Sequence, residues 1–179
     1  MVTPSKDTKR VESRAFHSNA PSFSSLKPAS EVSSRAKRAN RREDTKHEVL
    51  LRSTLHKMGL RYRKYVSDLP GKPDIVFRSS RVAVFCDGDF WHGRNWRQLR
   101  RKLTLGSNSD YWIKKIGANI DRDRRNAKLL EDMGWHVVRV WETDIVSNPL
   151  GIAKQIAQLV RSRAAHQDRP HFNKRRSRK

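Results

Sequence analysis

The segment Leu69–Gly93, LPGKPDIVFRSSRVAVFCDGDFWHG, decides the fold because it contains two short apolar runs on either side of a turn. Pro73 has no backbone N–H to donate to a sheet, so it belongs at the start of a strand, which Ile75–Phe77 continues. Val82–Cys86 is the second apolar run, and residues 78–81 between the two runs supply a hairpin turn. The pattern therefore predicts an antiparallel hairpin.

Acids and a histidine lie at the open end of this hairpin. Asp74 is the first free side chain of the first strand, and Asp87, Asp89 and His92 follow the second strand as it runs into a loop. Taken alone, Asp74 could merely begin a strand and His92 could be an ordinary loop histidine. An acid that opens an apolar strand beside a second acid is instead typical of catalysis. Carboxylates that meet an imidazole across a hairpin suit a metal-dependent nuclease.

The composition indicates a polyanionic partner. The chain has 179 residues, the length of about one domain, and a formal net charge of +22. Such a charge favours nucleic acid as the binding partner. A membrane surface would also attract it, but no apolar run is long enough to span a bilayer and no signal-peptide core lies near the N-terminus. We therefore expect a cytoplasmic, nucleoid-associated protein.

The distribution of apolar residues divides the chain into three parts. Residues 1–34 contain nine serines and three prolines but few large aliphatic side chains, so they bury too little apolar surface to offset the entropy of ordering. We predict a disordered, basic, serine-rich tail over residues 1–40, a folded domain over 41–163 and a disordered basic tail over 164–179. Both tails would add nonspecific attraction to phosphates.

The sequence contains residues typical of both ends of a first helix. Thr45 and Glu48 form a capping box and Gly59 supplies a C-terminal stop, so a helix is predicted over residues 46–58. Glu48 also falls at a helical offset from Leu51, which puts it on the buried side of the helix. Glu48 is therefore either a capping residue or a buried acid.

The remaining segments predict an α/β fold with the order αβββαβα. Residues 82–86 and 136–141 would form a parallel pair, which needs a helical crossover, and residues 111–133 have the spacing for one or two helices. Joined to the hairpin, this unit gives a mixed central sheet flanked by helices. The order is completed by a strand over residues 61–66, an aromatic and basic loop before Tyr111, and a last helix begun by Asn148 and Pro149.

This order, with acids at the ends of central strands, is typical of the restriction-endonuclease-like nucleases. Within them, residues 37–145 resemble the very short patch repair (Vsr) endonucleases. The segments that carry the resemblance are DTKHE (44–48), LPGKPDIVF (69–77), VAVFCDGDFWHG (82–93), YWIKKIGANIDRDRRN (111–126) and GWHVVRVWE (134–142).

The resemblance implies a magnesium-dependent DNA mismatch endonuclease. Such an enzyme nicks one strand beside the thymine of a T:G mismatch, the lesion left when 5-methylcytosine deaminates, and so initiates very short patch repair. The implied partner is double-stranded DNA with a T:G mismatch, bound by a monomer. A functional link to a cytosine-5 DNA methyltransferase is left open.

The resemblance also implies roles for individual residues. Asp74 matches the family's metal-binding aspartate, and the main-chain carbonyl of Cys86 would complete the metal site without its sulfur. His92 matches the histidine that moves a proton during attack on phosphorus, and Glu48 matches a supporting acid on the first helix. Asp87 replaces a family histidine and, as a carboxylate, is a candidate catalytic residue and a candidate metal ligand, direct or water-mediated.

Two groups of side chains are expected to contact DNA. Phe90, Trp91 and Trp112 match the aromatics that wedge into the duplex in the family, although each could equally belong to the core. Asn119 and Arg122 also recur in the family match, although the polar run over residues 122–125 could be only a solvated or phosphate-facing helix surface. The basic run of the loop is predicted to contact phosphates through Arg97, Arg100, Arg101 and Lys102.

The sequence departs from the best-known members of the family, which hold a structural zinc with cysteines and a histidine. Here those places carry Asp89, Arg94, Trp96 and Thr143, and the single cysteine of the chain excludes a cysteine cluster and an internal disulfide framework. We therefore predict no structural zinc and a loop held by other packing. The family's N-terminal wedge methionine is replaced by Lys37.

These departures keep two other functions open. The missing zinc ligands and Asp87 are compatible with a restriction-type or structure-specific DNA endonuclease of the same fold. A noncatalytic DNA-binding protein is the third possibility, against which the presence of Asp74, Glu48 and His92 argues.

Overall fold

A computed structural model describes residues 43–167 of the chain. The tail predicted over residues 1–40 and the position of Lys37 lie outside the described residues, as do residues 168–179 of the second tail. The last helix extends to Gln167, four residues beyond the predicted domain boundary.

Four strands form one mixed sheet with helices packed on it. In chain order the elements are α1 (Lys46–Lys57), β1 (Arg63–Lys64), β2 (Ile75–Phe77), β3 (Val82–Asp87), α2 (Trp96–Thr104), α3 (Ser109–Asp132), β4 (His136–Trp141), α4 (Glu142–Ser147) and α5 (Pro149–Gln167). The sheet order is β1-β2-β3-β4, in which only β3 and β4 are parallel. This confirms the predicted α/β class and mixed sheet. No helix within residues 43–167 is long and apolar enough to cross a membrane.

The hairpin of β2 and β3 is the centre of the fold. Ile75 pairs with Val84 and Phe77 with Val82, and both strands are buried along their whole length. Since a sheet buried on both faces needs cover on each, two cores form. One face packs on α1 and α5 through Leu51, Leu55, Ile75, Val84, Cys86, Ala153 and Ile156; the other includes Val76, Ala83, Phe85 and Leu130.

Helix α1 ends as its sequence predicts. Gly59 has a φ of +80°, its N–H donates to the His56 carbonyl at 2.9 Å, and the Leu60 N–H donates to the Leu55 carbonyl at 3.1 Å. This pair of bonds is a Schellman motif, which glycine completes without steric cost. At the start of α5, the Gly151 N–H donates to the Asn148 side chain at 2.9 Å, as expected of an N-cap.

The structure differs from the prediction in three places. The segment before Tyr111 is not only a loop, because it contains α2, which buries none of its residues completely. Helix α4 was not predicted. Strand β1 has two residues instead of six, because Tyr65 has a φ of 51° and turns the chain out of the strand.

Candidate active site

Asp74 lies at the mouth of the hairpin, where it is fixed by the sheet. Its backbone N–H donates to the Val84 carbonyl at 3.1 Å, and the Cys86 N–H donates to its Oδ2 at 2.7 Å. Burial raises the pKa of Asp74 to about 7, and the negative charges of Glu48 and Asp87 raise it further against the lowering effects of the Cys86 N–H and His92. Asp74 is therefore a carboxylate in a site that already holds excess negative charge.

Glu48 is a buried acid that three donors hold in place. The Tyr65 hydroxyl donates to its Oε2 at 2.6 Å, the Asp44 N–H donates to the same oxygen at 3.0 Å, and the Thr45 hydroxyl donates to Oε1 at 2.7 Å. The hydrogen bonds of the predicted capping box are thus absent, since Thr45 bonds Glu48 and not a helix N–H. Of the two roles open to Glu48 from the sequence, the buried acid is the one that its contacts fit.

Tyr65 reaches Glu48 from an unusual backbone conformation. Positive φ is uncommon for a bulky side chain, and it turns the ring back over the start of α1. Arg52 donates from Nη1 to the Tyr65 hydroxyl at 2.8 Å and lies 5.3 Å from the centroid of its ring. Burial, followed by the hydrogen bond to Glu48, raises the pKa of Tyr65 well above its usual range, so the phenol is a proton donor toward Glu48.

His92 lies on the loop after β3, and Asp123 of α3 holds it. The distance from His92 Nδ1 to Asp123 Oδ2 is 2.5 Å. Burial alone would raise the pKa of Asp123, but the hydrogen bond to His92 and the nearby charges of His92, Arg139 and Arg122 outweigh it and lower the pKa. Asp123 is therefore an ionised acceptor. The prediction that residue 123 belongs to a solvated helix surface was wrong.

Asp87 has a different partner from the one predicted. Its Oδ2 lies 2.6 Å from Arg139 Nε and its Oδ1 lies 2.6 Å from Arg139 Nη2, while the residue itself is only 2% exposed. A cation bound to either oxygen would lie beside the guanidinium and be repelled by it. Both oxygens of Asp87 are thus engaged by an arginine, which favours an anchoring role over the predicted role of metal ligand.

The Cys86 carbonyl faces His47, a residue that sequence reasoning did not single out. His47 Nε2 lies 3.4 Å from the Cys86 oxygen, and its Nδ1 lies 3.6 Å from Glu142 Oε1. Burial, aided by the charges of the neighbouring acids, raises the pKa of the Cys86 thiol well above its ordinary value. The sulfur is therefore a protonated core group, and only the carbonyl remains as a candidate ligand.

The oxygens near Asp74 suit a hard cation. No three histidine, cysteine or carboxylate side chains between residues 43 and 167 are arranged to hold a metal by themselves. Mg²⁺ needs no such cage, because it is usually bound by one or two carboxylates together with waters and phosphate oxygens. The Asp74 carboxylate and the Cys86 carbonyl are ligands of that kind, and a cation would compensate the charge that raises the pKa of Asp74. The residues present therefore fit magnesium.

The three predicted wedge aromatics form one cluster beside the site. The ring centroids of Phe90 and Trp91 are 5.2 Å apart, those of Phe90 and Trp112 are 5.5 Å apart, and Trp91 and Trp112 are separated by 6.0 Å. Phe90 is 38% exposed. Asn119 does not lie on the surface, because it is buried and its Nδ2 donates to the Trp91 carbonyl at 3.0 Å. Its position is that of a support for the aromatic segment.

The four predicted phosphate-binding cations lie on a helix. Arg97, Arg100, Arg101 and Lys102 belong to α2, and all four are exposed. Arg122 is on α3, where 41% of its side chain is exposed and its Nη2 lies 3.3 Å from Asp123 Oδ1. All five cations are thus accessible to a polyanion.

Polar contacts link three of the four positions for which no structural zinc is predicted, Asp89, Arg94 and Thr143. The Thr143 hydroxyl donates to Asp89, Arg94 Nη1 lies 3.4 Å from Asp89 Oδ1, and Arg94 Nη2 donates to Asp144 Oδ1 at 2.7 Å. Trp96, at the fourth place, begins α2. These contacts tie the loop after β3 to α4.

The comparisons with known proteins decide the family. A sequence profile described as DNA mismatch endonuclease Vsr matches residues 29–98. A type II nicking enzyme of Neisseria meningitidis serogroup C is 42% identical over 125 residues, which cover 70% of this chain and 83% of that protein. The chain belongs to the Vsr family. A Vsr-family chain is a DNA endonuclease, so the noncatalytic DNA-binding alternative is wrong.

Two other relatives agree with this Vsr assignment. A type II nicking enzyme of Haemophilus parainfluenzae is 38% identical over 127 residues, 71% of this chain and 89% of that protein. The DNA mismatch endonuclease Vsr of Escherichia coli (strain K12) is 38% identical over 105 residues, 59% of this chain and 65% of that protein.

Four residues of this Vsr-family site were missed, His47, Tyr65, Asp123 and Arg139, although the sequence contains a signal for Arg139. Arg139 interrupts the apolar run of β4, and an internal charge in a strand needs a partner. In the register of β3 and β4, Arg139 is paired with Phe85, and Asp87 follows Phe85 by two residues along β3. Asp123 carries no comparable signal, because arginines precede and follow it.

Proposed function

We propose that this Vsr-family endonuclease is a magnesium-dependent mismatch endonuclease, which nicks one DNA strand beside the thymine of a T:G mismatch and so initiates very short patch repair. The observation that carries the proposal is the loop over residues 88–93, which connects the proposed proton acceptor with the proposed DNA-contacting aromatic cluster. It ends in His92, which Asp123 holds, and it contains Phe90 and Trp91 of the aromatic cluster. The names of the relatives, two nicking enzymes and one mismatch endonuclease, support the same function.

His92 is the residue that moves the proton. When the ring is neutral, the ionised Asp123 2.5 Å from Nδ1 favours the proton on that nitrogen and leaves Nε2 a free lone pair. Nε2 can take a proton from the attacking water as the bond to phosphorus forms. Asp123 then faces an imidazolium, whose charge it stabilises.

Asp74, the Cys86 carbonyl and Glu48 make the opposite wall of the site. Asp74 and the carbonyl would hold magnesium, which when bound would stabilise the charge on the phosphate and activate water. Glu48, fixed by Tyr65, Thr45 and the Asp44 N–H, keeps further negative charge behind Asp74.

The aromatic cluster supports selection of a mismatch. Inserting a ring into DNA requires a base step to unstack at a cost of a few kcal/mol, and a mismatched step is already weakened. Phe90 is exposed at the edge of the cluster, while Asn119 fixes the main chain of Trp91 behind it. A duplex that opens over these rings would bring its scissile phosphate to His92. The cations of α2 would hold the backbone on the same side.

The test is cleavage of matched and T:G-mismatched duplexes of one sequence with Mg²⁺, under single-turnover conditions. We expect one nick beside the thymine of the mismatch and none in the matched duplex. Asp74→Asn, which keeps the shape of the residue, serves as the inactive control. Equal cutting of both duplexes would reject the mismatch proposal and favour the restriction-type alternative.

A further inference from the structure

Arg139 is a charged residue in the middle of strand β4. Its cross-strand neighbour is Phe85 of β3, and its Cζ lies 5.0 Å from the centre of that ring. Only 26% of the side chain is exposed. Partial burial of a guanidinium costs solvation energy, which its partners must offset. Those partners therefore indicate what the residue does.

One nitrogen of Arg139 reaches three residues of the site. Nη2 lies 2.6 Å from Asp87 Oδ1, 3.1 Å from Asp123 Oδ2 and 3.3 Å from His92 Nδ1. Nε donates to the other oxygen of Asp87 at 2.6 Å, so this carboxylate grips the guanidinium with two parallel bonds. Asp87 thus sets the orientation of Arg139, and Arg139 faces the pair formed by Asp123 and His92.

We propose that Arg139 is a positioning residue for the endonuclease reaction: anchored by Asp87, it holds Asp123 where this carboxylate orients His92. The proposal rests on the proposed function to the extent that His92 accepts the proton. Asp87 acts as the anchor of the arginine and not as a metal ligand.

The hydrogen-bond roles explain how the positioning works. Since Nδ1 of His92 carries its proton toward Asp123, it cannot accept a bond from Arg139, and the contact at 3.3 Å is a close approach. Arg139 Nη2 instead forms an ion pair at 3.1 Å with Asp123 Oδ2, the same oxygen that faces His92. This oxygen therefore faces a hydrogen-bonded imidazole and a guanidinium charge, which together fix its direction. Loss of Arg139 would free the carboxylate to rotate, and His92 would rotate with it.

The charges of the cluster agree with this arrangement. Asp87 and Asp123 contribute two negative charges and Arg139 one positive charge. Arg139 neutralises Asp87, and the Asp123 carboxylate, which Arg122 also approaches at 3.3 Å, faces the imidazolium that forms when His92 takes the proton. A lysine at position 139 would supply the same charge but not the planar fork that grips Asp87 while it reaches Asp123. The arrangement therefore depends on the guanidinium shape as well as on its charge.

Three variants test the proposal in the full-length protein. Arg139→Met removes the fork, Arg139→Lys keeps the charge without the fork, and Asp87→Leu/Arg139→Met removes both charges. Replacing both members of a buried pair is often neutral for stability, so the double variant guards against a folding defect. Arg163→Met is the matched control, because Arg163 donates to the Ser80 carbonyl at 3.1 Å instead of contacting the site. Thermal melts establish that each variant is folded.

The first measurement is nitrogen NMR of the metal-free protein with labelled histidine, with His92→Gln used to assign the signal. We expect the unmodified protein to hold the His92 proton on Nδ1 with slow solvent exchange. All three Arg139 variants should mix the two tautomers and exchange faster, while Arg163→Met should not. An unchanged His92 signal in folded Arg139→Met would overturn the proposal.

The second measurement is the single-turnover nicking rate as a function of Mg²⁺ concentration. We expect the folded Arg139 variants to lose about 10- to 100-fold in maximal rate, as for other groups that orient a reacting residue. The Mg²⁺ concentration for half-maximal rate should not change. A native rate in the folded double variant, or a tenfold higher Mg²⁺ requirement in Asp87→Asn, would contradict the roles given to Arg139 and Asp87.

The NMR and nicking measurements test the role of Arg139 independently of the proposed function. If His92→Ala cut at a native rate, the role of His92 in the reaction would be wrong, whereas the NMR result would still report whether Arg139 orients the ring. Equal cutting of matched and mismatched duplexes would change the substrate class and leave both Arg139 measurements intact.

Discussion

Asp74→Asn is expected to stabilise the metal-free protein above neutral pH while it abolishes cleavage. Burial raises the pKa of Asp74 from 3.8 to about 7. The folded state therefore holds this proton more tightly than the unfolded state. Stability falls as the pH rises from 3.8 to 7, and above pH 7 the ionised carboxylate imposes its full cost. At about 1.4 kcal/mol for each pH unit, that cost is roughly 2 kcal/mol at pH 5 and roughly 4 kcal/mol at pH 8.

The asparagine removes this cost while its Oδ1 can still accept the Cys86 N–H. Urea unfolding in EDTA is therefore expected to show a gain for Asp74→Asn that is larger at pH 8 than at pH 5 by about 2–3 kcal/mol. Asp68→Asn is the matched control. Asp68 is exposed, and the hydrogen bond from Arg78 lowers its pKa, so no gain is expected at either pH.

Magnesium supplies a second readout. Bound at Asp74, it should stabilise the unmodified protein at pH 8 by about 1.4 kcal/mol when its concentration is ten times the Kd, and it should leave Asp74→Asn unchanged. The reasoning is refuted if the gain from asparagine is the same at pH 5 and pH 8. Near-native cleavage by folded Asp74→Asn would remove the residue from the mechanism.

Three further outcomes are expected. His92→Ala should lower the single-turnover nicking rate by about 10²- to 10⁴-fold with DNA affinity retained, and an unchanged rate would exclude it as the proton acceptor. Trp91→Ala and Trp112→Ala should lower nicking of T:G duplexes more than binding to matched DNA in gel-shift assays, whereas parallel losses would indicate a purely structural cluster. Neutralising the α2 cations should weaken the salt dependence of DNA binding. The slope of the logarithm of the binding constant against the logarithm of the salt concentration should fall by about 0.9 for each lost phosphate contact. An unchanged slope would exclude a phosphate-binding role for these cations. The cations to replace with glutamine are Arg97, Arg100 and Arg101.

The central sheet could be predicted because its signals are local. Pro73, the turn after Phe77 and the run Val82–Cys86 each specify the hairpin within a few residues. The parallel pairing of β4 then follows from the length of the crossover. Helix α2 was missed although Trp96, Leu99 and Leu103 recur at offsets of three and seven, the spacing of one helix face.

The site was only partly predictable because its contacts join distant segments. Asp74 and His92 could be found from the hairpin, but their supports lie elsewhere in the chain. Tyr65 favours a strand by its residue type, and only the need to bond Glu48 explains its positive φ. Asp87 was interpreted as a metal ligand because nothing local pointed to an arginine 52 residues away.

The position of Arg139 on the last strand also bears on how the protein is made. The hairpin that carries Asp74 and the loop that carries His92 are complete by residue 93, whereas Asp123 and Arg139 come from α3 and β4. A chain still under synthesis can therefore form the hairpin before it can orient its histidine, since domains fold as their later segments emerge from the ribosome. The nuclease would then reach its full cutting rate only after β4 has joined β3.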